Sequence, residues 1–127
     1  MKKGFTLMEL IVVVIIVGIL AMVGLPQFFQ VAERGKAAEA FGILGTVRSG
    51  QIRYAAENNN QYEQSAACAG LDVNFTTPKY FAAPSCSTSG SGTMVRTGGY
   101  TLTINYATGN ITCTAGGNIT CPKMPTA

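Results

Sequence analysis

A single carboxylate, Glu9, stands inside the 21 residues from Phe5 to Leu25, where the only other polar side chain is Thr6. An ionised acid among lipid-like surroundings costs several kcal/mol unless it reaches water or meets a cation, so such a residue marks a functional position by default. Lys2 and Lys3 are its only basic neighbours in sequence, and both precede the apolar run. A cut after Gly4 would supply a closer cation, because Phe5 would then carry an α-amine that is charged at neutral pH. That amine would lie four residues, one helical turn, from Glu9 and could pair with it in the same chain or in a neighbouring one. A plainer reading sets Glu9 against the positive end of its own helix or at the level of the lipid headgroups. Physical chemistry alone leaves both open.

Little else in the chain has the pattern of a reactive site. The sequence has no histidine, which removes the commonest general base and metal ligand. Glu57, Glu63 and Asp72 are scattered, and there is neither a glycine-rich phosphate loop nor a Ser/His/Asp set. No catalytic residue, metal, cofactor or small-molecule substrate is expected, and the chain does not read as an enzyme. Four cysteines, Cys68, Cys86, Cys113 and Cys121, lack the C-x-x-C spacing of zinc or redox motifs and read as disulfides. Three pairings exist; Cys68 with Cys86 and Cys113 with Cys121 are favoured because they close short loops of about 20 and 10 residues. Asn74, Asn110 and Asn118 each open an N-x-T triplet of the sort that Thr-rich strands produce by chance. The net charge of +3 is too mild to argue nucleic-acid binding. Lys79, Tyr80, Arg96 and Lys123 are the candidates for a basic and aromatic binding surface, and nucleic acid as a partner stays open.

Chain organisation follows the distribution of apolar residues. Of 127 residues, 47% are hydrophobic and 12% charged, and the apolar excess is concentrated near the start. Helical rise makes Phe5–Leu25 roughly 31 Å long, enough to cross the hydrocarbon core of a bilayer. Lys2 and Lys3 then hold the N-terminus in the cytoplasm and place the rest of the chain on the far side, where disulfides form. A cleavable secretory signal fits less well, since no small-x-small site closes the run; an uncleaved signal anchor fits the length but leaves Glu9 unexplained. Pro26 lacks a backbone N–H and crowds the carbonyl of Met22, so a helix passing through it should kink, and Gly18 loosens the same segment. Beyond it, Ala32, Ala37, Ala40, Phe41, Leu44, Val47, Gln51 and Tyr54 or Ala55 recur at helical spacing as far as "ENNNQ" (57–61). "YTLTINY" (100–106) alternates as a half-buried strand, "ITCTA" (111–115) returns after a turn, and "KYFAA" (79–83) and "TMVR" (93–96) are weaker strands separated by the flexible "SCSTSGSG". The expected fold is α+β: a long N-terminal helix, its hydrophobic half protruding, packed on an antiparallel sheet of about four strands.

"KKGFTLMEL" and the run that follows resemble the type III signal of the type IV pilin superfamily in leader charge, Gly4, Phe5, Thr6, Leu7 and Glu9, all in register. The resemblance covers roughly residues 1–30. It implies the pilin fold, a leader (1–4), a transmembrane and assembly helix (5–28), an amphipathic continuation (29–58) and a disulfide-bearing β-sheet head (59–127). It implies cleavage between Gly4 and Phe5 by a prepilin peptidase, N-methylation of Phe5, and a contact between Glu9 and the Phe5 amine of a neighbouring subunit. Gly18 and Pro26 would then let the helix bend or partly melt. The implied protein is a structural subunit held in the inner membrane with its head in the periplasm. An assembly platform then polymerises it into an extracellular pilus, a homo-oligomeric filament. Two alternatives carry the same signal: a pseudopilin of a type II secretion system, which the cysteines and lack of an aspartate cluster disfavour, and a minor pilin that binds DNA or a surface.

Overall fold

A computed structural model describes residues 3–88 and 90–124, so Met1 and Lys2 of the expected leader lie outside it. The elements are α1 (Leu7–Glu57), β1 (Ser85–Thr88), β2 (Ser91–Val95), β3 (Thr101–Asn105) and β4 (Ile111–Thr114). The chain divides into two compact units, one ending at Glu33 and the other beginning at Arg34.

In the first unit the sequence of α1 is rich in valine and isoleucine, which have only modest helix propensity in water. In lipid the balance changes, because an α-helix satisfies every backbone hydrogen bond within the segment. The helix is long and apolar enough to cross a membrane, and none of that apolar stretch is buried in the chain itself. Pro26 lies inside α1 without ending it.

In the second unit α1 turns amphipathic. Ala37, Ala40, Ile43, Leu44, Val47, Gly50, Gln51 and Ala55 are buried, which adds Ile43 and Gly50 to the face expected from periodicity and leaves Ala32 only half-buried. Gly50 is needed where it stands: a Cβ there would come within 2.7 Å of Val73. The helix stops as "ENNNQ" suggests, with Asn59 and Asn60 in the left-handed region (φ 52° and 64°) and the Asn60 N–H closing on the Ala55 carbonyl.

The sheet runs β1-β2-β3-β4, antiparallel throughout. Met94 lies opposite Leu102 and Gly92 opposite Ile104, and alternate residues of β2 and β3 point into the core. There they meet Leu44 and Val47 of α1 together with Phe81, Tyr100 and Tyr106. The architecture is thus the expected long helix on a four-stranded antiparallel sheet, but one strand differs from expectation. "KYFAA" contributes only an isolated bridge, Phe81 with Arg96, while the segment read as a flexible separator supplies β1 and the start of β2. Glu39 explains the first difference, since its carboxylate takes the N–H groups of Lys79 and Tyr80 that a ladder would need. The second follows from Cys86, which is fully buried and pins the serine-rich strand through its disulfide to Cys68.

Candidate functional site

The start of α1 is built around Thr6 and Glu9. The Thr6 N–H and hydroxyl both donate to Glu9 Oε2, at 3.1 and 3.0 Å, and the Glu9 N–H donates back to Thr6 Oγ1 at 3.3 Å. This is a capping box: Thr6 is the N-cap, Glu9 the third helical residue, and each side chain satisfies a backbone donor that the helix start would leave without a partner. Sequence reasoning counted Thr6 as a polar residue and a signal position but not as a cap, although T-x-x-E ahead of an apolar run is itself the cue. Both Thr6 bonds fall on one carboxylate oxygen; among the described residues nothing donates to Oε1. The carboxylate can therefore keep its cap and still accept a further cation. Phe5, Met8, Val12 and Val13 surround it with apolar surface, and the Phe5 side chain is 89% exposed. Phe5 precedes α1 and lines the same surface as Glu9. The structure places Gly18 and Pro26 further along the same exposed helix.

In the second unit the cysteines pair Cys68–Cys86 and Cys113–Cys121, the two short loops favoured on length. Three polar side chains whose partners the sequence did not reveal then fix the loops. Gln51, fully buried on α1, donates through its amide to the Glu63 carbonyl and accepts the Glu63 N–H, both at 2.9 Å, so one side chain acts as a strand partner. Arg48 donates to the Tyr106 and Ala107 carbonyls at the end of β3. Glu39 holds Lys79 and Tyr80 as described above.

Of the four basic and aromatic candidates, the structure brings Lys79, Tyr80 and Arg96 together and adds Lys36 from α1. All three cations lie 5.5 Å from the centre of the Tyr80 ring. Lys123 is exposed, and among the described residues it makes no contact with that ring. No cluster of three or more metal-ligating side chains occurs among the described residues.

The first unit is an apolar helix that opens on a capped glutamate and is long enough to cross a membrane, and the second packs a helix on one antiparallel sheet. Residues 1–25 match the prokaryotic N-terminal methylation motif. The chain is 36% identical over 70 residues to the fimbrial protein EcpC of Eikenella corrodens, covering 55% of this chain and 45% of that protein. It is 39% identical over 77 residues to the type IV major fimbrial protein FimA of Dichelobacter nodosus (61% and 43%). To the type IV major pilin protein PilE1 of Neisseria gonorrhoeae it is 35% identical over 71 residues (56% and 42%). The chain therefore aligns with about half the length, or less, of these curated relatives. No solved structure matches it to the same standard. Over these residues the chain is similar to members of the type IV pilin superfamily.

Proposed function

We propose that this chain is the structural subunit of a type IV pilus. Its apolar helix is stored in the inner membrane with the head in the periplasm, and then buried against sister helices in an extracellular filament. The observation that carries this reading is the combination of a wholly exposed apolar helix with Glu9, whose second oxygen is open to a donor. Removal of residues 1–4 by a prepilin peptidase would free the Phe5 amine, which is then methylated. That cation, offered by the preceding or following subunit, pairs with Glu9 while Thr6 keeps the helix capped. The pair is favourable in the polymer because both charges lie in an apolar setting where a lone carboxylate is costly. Residues 5–28 serve as the membrane and assembly segment, residues 29–58 as the helix that carries the head, and 59–127 as the surface of the filament. Gly18 and Pro26 supply the weak points where the helix bends or partly unwinds as subunits pack. Two structural disulfides, relatives that are named as major pilins and fimbrial proteins, and the absence of a metal-ligand cluster among the described residues favour this reading over a secretion pseudopilin.

Glu9→Ala tests it directly. The variant should insert in the membrane at the parental level, because it loses only a charge there, and should yield few or no sheared filaments. Abundant filaments of normal appearance from Glu9→Ala would contradict the pairing mechanism.

A further inference from the structure

The head carries two patches of opposite charge on one flank of α1. Glu39 and Glu57 are 18 residues apart, five full helical turns, and so share a face. The loop after the helix runs back along that flank: Asp72 meets Arg53, Val73 covers Gly50, and the Lys79 and Tyr80 N–H groups close on Glu39. At the Glu39 end, the Tyr80 ring gathers Lys36, Lys79 and Arg96. Arg96 is 8% exposed and donates to the Tyr80 carbonyl at 3.0 Å, so the ring stands on a buried guanidinium, and Lys79 presents its charge outward. Both oxygens of Glu39 accept backbone N–H groups, and the exposed charge at this end is that of Lys79.

At the other end, Glu57 and the Arg53–Asp72 ion pair (2.8 Å) bound a cleft of about 100 Å³ that Tyr54 and Gly70 complete. Two carboxylates there face one cation, and the volume admits an ammonium group. Lys36 and Glu57 are 21 residues apart, about 31 Å along the axis, too far for the two patches to meet within one head.

We infer that these patches are the two halves of one contact between copies: the Lys79 edge of one head seats against the Glu57–Asp72 cleft of the next. Different, complementary surfaces on the same chain make a heterologous contact, which propagates into an open filament and does not close as a two-fold dimer would. The inference rests on the polymer reading above and specifies which head surfaces meet. Charges at such an exposed contact set register and association rate, and are screened by salt.

The test uses charge reversal in the full chain, with sheared filaments as the readout and membrane content as the control. Lys79→Glu and Glu57→Lys alone should each lower filament yield by about fivefold or more, and the double reversal should return it to within about twofold of the parent. Carbodiimide coupling of unaltered filaments, followed by peptide mass mapping, should join Lys79 of one copy to Glu57 or Asp72 of another. Parental yields from both single variants, a double variant as poor as the singles, or couplings confined to single copies would each overturn the contact and leave the polymer reading standing. Capture of a single-stranded oligonucleotide by filaments, lost in Lys79→Glu, would assign the patch to a different occupant and equally overturn it. An unaltered chain that forms no filaments would overturn the polymer reading itself.

Discussion

Thr6 and Glu9 are three residues apart, and that spacing resolves the conflict posed by a carboxylate in an apolar segment. One Glu9 oxygen closes the helix start, and in the proposed polymer the other would take an amine. Its importance was legible from composition alone, because a lone acid in an apolar run stands out; its local partner was hidden because a threonine in the same run looks like mere tolerance of polarity. Gln51 shows the opposite limit. Periodicity put it on the buried face, yet nothing in the sequence tells that its amide meets the backbone of Glu63, twelve residues away. Gln51→Leu should keep the shape and leave the Glu63 N–H and carbonyl without partners, costing about 1–3 kcal/mol. Thermal unfolding of the detergent-solubilised chain would show this as a Tm lowered by several degrees; an unchanged Tm would mean that the pair contributes nothing net. Tyr106 gives a pH signature. Burial pushes its hydroxyl up to about 12, the nearby Glu63 charge adds to the rise, and Gln51 opposes it. A folded pKa above the unfolded value of about 10 favours the neutral phenol in the fold. That stability is fully present below about pH 10 and is lost as pH rises toward about 12. In an alkaline titration followed by phenolate absorbance, the Tyr106 phenol should ionise late, together with loss of tertiary structure, and Tyr106→Phe should remove its share of that late step. Ionisation of every tyrosine near pH 10 with the fold intact would refute this.

At the level of elements, the helix and the β3–β4 hairpin were readable because their periods differ and their ends carry turn residues. "YTLTINY" alternates over its length, and "ENNNQ" ends the helix with asparagines able to adopt positive φ. The two misread segments, one expected as a strand and one as a flexible separator, depend on distant groups. Glu39, forty residues from Lys79, diverts the backbone of "KYFAA" out of the ladder, and the Cys68–Cys86 bond draws a polar, serine-rich segment into it. No local pattern reports either event. The Cys113–Cys121 bond acts at the opposite edge, tying the segment after β4 back to that strand across eight residues of sequence. Cys113 itself lies opposite Leu102 in the ladder, so the bond anchors the tail to the sheet whose core Leu102 fills. Replacing both cysteines by serine should cost about 2–3 kcal/mol by loop-closure entropy. Denaturant unfolding would register the loss as a lower midpoint at similar slope; an equal midpoint would indicate that the bond is not formed in the native protein.

For the whole molecule, the organising fact is an apolar helix with no covering in its own chain. Such a surface is costly in water, and the proposed function covers it twice: with lipid before assembly and with sister helices after it. On that proposal Glu9 makes the exchange directional, since a lone carboxylate is costly in the first environment and would be paired in the second. This level was the most legible of the three, because the methylation motif, the length of the apolar run and the position of Glu9 all fall within the first 25 residues. The head, by contrast, offers no short motif, and its two charged patches become visible only when the loop after α1 is laid along the helix flank.

The most direct test of the account is the intact mass of the protein in filaments sheared from the cell surface. The account predicts a chain that begins at Phe5, heavier by about 14 Da for one N-methyl group and lighter by about 4 Da for two disulfides. A chain still beginning at Met1, recovered from membranes and absent from any filament, would contradict it.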